Sequence, residues 1–338
     1  MRVQAAGNPA AARFPEALIR IVATAAVLYA AAGGVAAAAD AYPSKPIRMI
    51  VAVPPGGPAD TLSRLISPKL SEAMGQAIVI DNRAGANGNI AYELTARAVP
   101  DGYTFTAVAA GVAINPGLYR EVKYDPVKDL APVAQVTPGH MLLAVSPATP
   151  FRSVKDIVDY ARQNPDRLSN ASSGNGTPGH VGLELFKYMT GTRIVHIPYK
   201  GGAAGTIDLI AGQVQLMMES SNSMTPHVKS GKVRGLAVSS ATRSQAFPEL
   251  PTIAEAGVPG YEVTSWNAIL APAGTPKDII TKLNTEINKI IVMPDMKQRL
   301  IDNGFEPVGG TPEKAADKIH SEIAKWAPVV KAAGIKVD

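Results

Sequence analysis

Residues 47–74 read IRMIVAVPPGGPADTLSRLISPKLSEAM. The apolar, partly β-branched run at 47–53 predicts a buried strand, Pro54-Pro55-Gly56-Gly57 breaks it, and Leu62, Leu65, Ile66, Leu70 and Met74 then recur at helical spacing on one face. Strand, glycine-rich turn and helix in that order open a βαβ unit, and hence an open parallel sheet. In such sheets ligands bind beyond the carboxyl ends of the strands. There the first turn of the next helix offers N–H groups without intrahelical partners and the positive end of its dipole. Gly56 and Gly57 let backbone approach a ligand, and Pro58 suits the first helical turn. A carboxylate or phosphate fits that place, and so does an ordinary βα turn in which Asp60 caps the helix.

The alternation continues outward. Residues 77–80 predict a second strand, 89–99 a helix stopped by Pro100-Asp101-Gly102, and 103–108 a third strand. A second series starts near Met141: strands at 141–145, 168–172, 193–197, 214–218 and 233–238, with helical segments after Ser153, at 177–189 and at 206–211, and a short segment ending at Gly231. One long strand at 262–270 and helices at 276–292 and 312–330 read as a return to the first series. With 338 residues the chain exceeds the roughly 100–200 of one domain, so two lobes are expected, 40–141 with 265–338 and 142–264. No internal repeat or heptad array is present, and Pro68 inside the first helix has no local explanation.

Arg2, Arg13 and Arg20 precede an apolar run at 21–32, then Gly33, Gly34 and small residues ending in Ala37-Ala38-Ala39. This predicts a secretory signal peptide over 1–39, cut before Asp40; an uncleaved anchor is the competing reading, but the run is shorter than the roughly 20 residues of a spanning helix. The absence of cysteine excludes disulfides, thiolate nucleophiles and lipid attachment, and with export it points to the Gram-negative periplasm. Removing 1–39 leaves 30 basic against 27 acidic residues, too small and scattered an excess for nucleic acid. Hydrophobic residues at 46% and charged residues at 18% describe a soluble globular chain, not a disordered or fibrous one.

Ala171-Ser172-Ser173-Gly174-Asn175-Gly176-Thr177-Pro178-Gly179-His180 repeats the strand, glycine loop, helix layout. The hydroxyls of Ser173 and Thr177 and the amide of Asn175 add hydrogen-bonding groups, so two helix starts can face one another across a cleft; helix capping by Thr177 is the plainer reading. Lys200 stands before the glycines of Lys200-Gly201-Gly202, and no G-x-x-x-x-G-K-[ST] occurs, which excludes a nucleotide P-loop. Gly85-Ala86-Asn87-Gly88-Asn89 reads either as part of the same rim or as a turn with Asn89 as cap. His140, His180, His196, His227 and His320 lack metal-site spacing, so no metal is expected, and no G-x-S-x-G elbow supplies a serine nucleophile. His180 reads as a ligand contact or a helix-surface residue, and Trp266 as core or hinge packing in preference to a stacking platform.

Seven stretches in order carry a family resemblance: Tyr42-Pro43-Ser44-Lys45-Pro46-Ile47-Arg48, Val53 through Asp60, Asp81-Asn82-Arg83-Ala84-Gly85-Ala86-Asn87-Gly88-Asn89-Ile90, Pro100-Asp101-Gly102-Tyr103-Thr104, Ile197-Pro198-Tyr199-Lys200-Gly201-Gly202, Pro251-Thr252-Ile253-Ala254-Glu255-Ala256-Gly257 and Ala271-Pro272-Ala273-Gly274-Thr275-Pro276. The chain resembles the Bug family of periplasmic solute-binding proteins, the soluble receptors of tripartite tricarboxylate transporters. The resemblance implies an α/β, type II periplasmic-binding-protein fold, two Rossmann-like lobes with a hinge and a ligand cleft between them. It implies a small carboxylate held largely by backbone groups, partly through water, with ligand-binding residues Pro55, Gly56, Gly57, Pro58, Ala59 and Asp60 in one lobe and Ser173, Gly174, Asn175, Thr177, His180 and Lys200 in the other. No arginine lies in either loop, as expected where oriented N–H groups replace a cationic side chain. A monomer without cofactor or catalysis, delivering its ligand to the membrane subunits of such a transporter, follows from the same resemblance. Many relatives carry an aspartate-asparagine type pair where this chain has Glu219-Ser220-Ser221-Asn222, so amino acids, di- or tricarboxylates and aromatic carboxylates all stay open as ligands. Two rival functions fit the residues less directly: a ligand sensor for a signalling receptor, and a periplasmic enzyme relying on Asp60, His180 or Lys200.

Overall fold

A computed structural model describes residues 42–332, 334, 335 and 337; the expected signal peptide lies outside them. From the amino end, β1 (Ile47–Val51) leads into α1 (Pro58–Met74), β2 (Ile78–Asn82), a 3-10 turn at Ala86–Gly88, α2 (Asn89–Ala96), β3 (Thr104–Ala109), α3 (Gly111–Leu118) and β4 (Leu130–Thr137). The chain crosses to β5 (Met141–Val145), then α4 (Val154–Gln163), β6 (Ser169–Ser172), α5 (Pro178–Thr190), β7 (Val195–Pro198), α6 (Gly202–Ile210), β8 (Leu216–Ser220), α7 (Ser221–Lys229) and β9 (Arg234–Val238). It returns through β10 (Asn267–Pro272) and ends in α8 (Lys277–Val292), α9 (Pro294–Asp302) and α10 (Pro312–Ala332).

Two five-stranded sheets result, ordered β2-β1-β3-β10-β4 and β7-β6-β8-β5-β9. In the first, β1 is parallel to both β2 and β3, and β10 runs antiparallel between β3 and β4. In the second, β6 is parallel to β7 and β8, and β5 runs antiparallel between β8 and β9. The sheets therefore share one topology. Each places its first parallel strand, β1 or β6, at the point where successive crossovers go to opposite sides, the position at which open α/β sheets bind ligands.

Burial explains the first strands. Ile47, Met49, Ile50 and Val51 are all at most 2% exposed, because helices cover both faces of a parallel sheet and leave no polar side. Of the long apolar core, Ile50, Val108 and Ile114 belong with the first sheet, and Leu143, Val181 and Ile253 with the second. A smaller cluster, including Leu142, Leu209, Met217 and Met224, fills the space under α6 and α7.

The structure departs from the sequence expectations in identifiable ways. Neither sheet is uniformly parallel: β10 in the first and β5 in the second are antiparallel to their neighbours, and both are strands that the chain enters by crossing between sheets instead of through a βα turn. β4 escapes sequence detection because LAPVAQVT carries Pro132 and poor alternation, which a strand at the end of the sheet order tolerates. α3, with two glycines and Pro116, is likewise illegible by propensity. The long strand expected at 262–270 is regular only from Asn267; upstream, Thr264 forms a lone bridge to His140. α1 runs unbroken through Pro68, whose exposed position lets the freed carbonyl of the preceding turn face water. Among the described residues, no helix is long and apolar enough to cross a membrane.

Candidate ligand-binding cleft

The loop after β1 is built around a buried carboxylate. Asp60, 2% exposed, accepts hydrogen bonds from Gly56 N–H at 2.8 Å, Asn82 Nδ2 at 2.9 Å and Arg64 Nε at 3.0 Å. Asn82, the last residue of β2, also donates to Val53 O at 3.1 Å, so the neighbouring strand pins the loop from both ends. Burial by itself raises the Asp60 carboxyl, but the hydrogen bonds from Arg64, Gly56 and Asn82 outweigh it and hold the group below the usual carboxylate range. Its side chain is thus the anchor of the loop. The amino terminus of α1 begins at Gly57 with Pro58 as its first residue and has no side-chain cap, which leaves its first-turn N–H groups for another acceptor. Asp60→Ala is expected to lower the unfolding free energy in urea by about 2 kcal/mol, by stranding the donors of Gly56 and Asn82. A loss within about 0.5 kcal/mol, the ordinary range of a surface change, would contradict this anchoring role.

The loop after β6 follows the same plan with different residues. α5 starts at Thr177 and Pro178, again without a side-chain cap; the Thr177 hydroxyl instead donates to Gly174 O at 2.7 Å. Gly174 and Gly176 have φ of 138° and 77°, which only glycine adopts without strain. Gly176 N–H donates to His180 Nδ1 at 3.0 Å, so the His180 proton sits on Nε2. His180 is buried and stacks on His196, ring centroids 4.0 Å apart and planes 9° from parallel, while His196 Nε2 lies 2.6 Å from Ser172 Oγ. Burial, followed by the charge that His180 and Lys187 would place nearby, lowers the His196 pKa to about 3; burial likewise lowers that of His180. Both rings are neutral at pH 7; His180 holds the loop through its backbone and His196 through the Ser172 hydroxyl.

A third helix start completes the corner. Gly201, with φ of 114°, begins α6 without a side-chain cap. Its N–H donates to Ser173 O at 3.1 Å, and a Cβ added to it would lie 3.5 Å from Pro54 Cγ. The starts of α1, α5 and α6 therefore adjoin one another. Lys200 is exposed beside them, as are Pro55, Gly56 and Asn175, whereas Gly57, Pro58, Ser173, Gly174 and Thr177 are half-buried and Ala59 is buried.

Sequence reasoning named the segments around this corner but not the contacts that their side chains make. Asn87 donates through Nδ2 to Gly176 O and to Asn115 Oδ1, both at 2.7 Å, and so ties the rim after β2 to the loop after β6. The rim reading of 85–89 is the one realised: Asn89 accepts from Asn115 Nδ2 at 2.6 Å and Tyr124 OH at 3.1 Å, and Gly88 takes the cap position of α2. Glu219, at the carboxyl end of β8, is 4% exposed and lies against α6. Its place at a strand end was the available signal. Trp266 is fully buried in the core.

Comparison with known proteins fits this geometry. Residues 62–335 match the family TctC, tripartite tricarboxylate transporter family receptor. The chain is 35% identical to Protein BugT of Bordetella pertussis over 314 residues, 92% of this chain and 96% of that protein. Among solved structures it is similar to R. palustris Rpa4515 with adipate, at 42% identity and TM-score 0.84, covering 87% of this chain and 99% of that one. It is also similar to MatC of Rhodopseudomonas palustris with bound malate, at 30% identity and TM-score 0.79, covering 86% and 100%. With two glycine loops at equivalent switch points of two like sheets, and with these matches along nearly its whole described length, the chain belongs to the tripartite tricarboxylate transporter receptor family, the family of the Bug proteins.

Proposed function

We propose that this protein is a periplasmic receptor, exported through its amino-terminal signal, that captures a small carboxylate between its two lobes and delivers it to the membrane subunits of a tripartite tricarboxylate-type transporter. The carrying observation is the meeting of three uncapped helix starts, α1, α5 and α6, in one corner. Such N–H groups and dipole ends recognise an anion without a cationic side chain. Adipate and malate in two related structures support the same ligand class. The lobes are 40–141 with 265–338 and 142–264, and they close about the segments that cross between the sheets. Ligand touching both glycine loops favours the closed arrangement, held also by the Asn87–Gly176 hydrogen bond. The monomer is the working unit and binding, not catalysis, is its task.

The test is a thermal-shift screen of refolded, ligand-stripped mature protein against amino acids, dicarboxylates, tricarboxylates and aromatic acids. Ligand at about 100 times Kd adds about 2.7 kcal/mol of stability, a rise of roughly 4–5 °C for a chain of this size. Gly174→Val, which forces a side chain onto φ of 138° and 3.2 Å from Tyr199 O, is expected to abolish the shift. A flat response across the whole panel would overturn the carboxylate-receptor reading.

A further inference from the structure

The connection between α9 and α10 is tied to the first lobe at its ends and to the second in its middle. Asn303 N–H donates to Arg299 O at 3.2 Å and Phe305 N–H to Leu300 O at 2.9 Å, closing the end of α9, and Val308 N–H donates to Val136 O of β4 at 3.1 Å. Between these anchors the chain reaches across. Gly304 O accepts from Ser221 Oγ at 3.1 Å, and a Cβ added to Gly304 would fall 2.7 Å from Asn222 Cα, so the backbone lies directly on the start of α7. Glu306 Oε1 accepts from Gln245 N–H at 2.7 Å and from Ser244 Oγ at 3.0 Å, and its Oε2 stands 3.0 Å from His140 Nε2. His140 lies on the crossing segment that enters β5, and its ring is held from behind by Ser240, whose Oγ is 2.7 Å from Nδ1.

We propose that residues 303–308 form a strap across the hinge and that Glu306 fastens it, a positioning residue that favours the closed arrangement of the lobes without touching ligand. This rests on the carboxylate-receptor reading and extends it to what sets closure. The hydrogen-bond partners of Glu306, Ser244 and Gln245, belong to the second lobe, whereas the strap itself stays with the first through α9 and β4. Rotation of the second lobe about the crossing segments therefore separates Glu306 from its donors. The group is largely buried, so opening leaves its donors and acceptors to be satisfied by water in their place. Burial by itself raises the Glu306 carboxyl, but the His140 ring, the Gln245 N–H and the Ser244 hydroxyl outweigh it and hold the group below the usual carboxylate range. It is a carboxylate at neutral pH, and the hydrogen bonds it accepts are of the stronger, charge-assisted kind. Ligand contacts and the Asn87–Gly176 bond join the lobes at the glycine loops; the strap joins them through other elements, α7 and the turn at 244–245.

The experiment combines calorimetric titration of ligand-stripped mature protein, using adipate and malate as probes, with small-angle X-ray scattering of the same protein without ligand. Glu306→Ala is expected to weaken binding of each probe that the wild type takes by roughly 10- to 100-fold, the equivalent of a lost hydrogen bond to a charged group, and to enlarge the ligand-free radius of gyration. Ser244→Ala, which removes one donor, weakens binding by roughly 2- to 10-fold, and Glu306→Gln, which keeps the shape and loses the charge, falls between the two. The double variant Ser244→Ala with Glu306→Ala binds no more weakly than Glu306→Ala alone, because both act through one contact. A prop kept through opening moves only the melting temperature. A folded Glu306→Ala with wild-type affinity and wild-type radius therefore overturns the strap, and so do losses that add in the double variant. If Glu306→Ala does not melt cooperatively, unchanged affinity in both Glu306→Gln and Ser244→Ala overturns it. If neither probe binds the wild type, the radius alone decides the strap, and the receptor reading falls only if the wider screen is flat as well.

Discussion

Gly139→Ala is expected to lower the unfolding free energy by about 3 kcal/mol or more, and the melting temperature by roughly 5–10 °C. Gly139 lies between β4 and β5 with φ of 52°, and an added Cβ would fall 1.7 Å from Ser265 O and 2.5 Å from its carbonyl carbon. Backbone atoms cannot rotate aside, so the two crossing segments would have to separate. These are the segments that join the sheets, held side by side by the His140–Thr264 bridge. Gly75→Ala supplies the control: its φ is 68° at the end of α1, but nothing lies within 4 Å of the added Cβ. Only conformational strain of about 1 kcal/mol is expected there. Equal losses in the two variants, measured by urea and thermal denaturation, would show that the close approach at Gly139 carries no extra weight.

Acidification from pH 7 to pH 5 is expected to cost the wild type about 2 kcal/mol more stability than it costs His196→Asn. In the unfolded chain the imidazole takes up a proton near pH 6.5, whereas in the fold burial and the stacked His180 keep His196 neutral to about pH 3. Between those values the unfolded state binds more protons. The depressed folded pKa therefore contributes stability that is present above pH 6.5 and is lost as pH falls toward 3. Glu219 acts in the opposite sense, since its raised pKa contributes stability that is present below the ordinary glutamate value and is lost as pH rises through the folded value. Comparing each variant with wild type at both pH values separates the two, because every other titration is common to the pair. Parallel pH profiles for wild type and His196→Asn would mean that His196 is protonated in the native state at pH 5. Loss of the loop after β6 is expected to accompany this acid destabilisation, since protonated His180 can no longer accept from Gly176 N–H.

Much of the candidate site was legible in residues 53–60 and 171–180, because a glycine-rich turn with proline at a strand–helix junction is a local signature of a helix start. The supporting residues were not. Asn82 drew no reading of its own and Asn87 stood between rim and turn, and nothing in their neighbours reveals that one holds Asp60 and the other reaches Gly176 across 89 positions of sequence. His180 left two readings open; its burial removes the helix-surface one, and the structure adds a role that neither named, an acceptor for the loop. Glu219 was visible as a residue, but its burial against α6 was not.

By itself the sequence determined which segments form β1, β2 and β3, which helices cover them, and where two glycine loops lead into helix starts, since periodicity and glycine-proline punctuation are local properties; that neither start carries a side-chain cap was left to the structure. Only the tertiary structure decided that β5 and β10 run against their neighbours, that two sheets without a sequence repeat share one strand order, and that Asn87, Gly201 and Glu219 meet at one corner. Strand direction and the pairing of a buried polar atom depend on what arrives from distant parts of the chain, and no window of neighbouring residues contains that information.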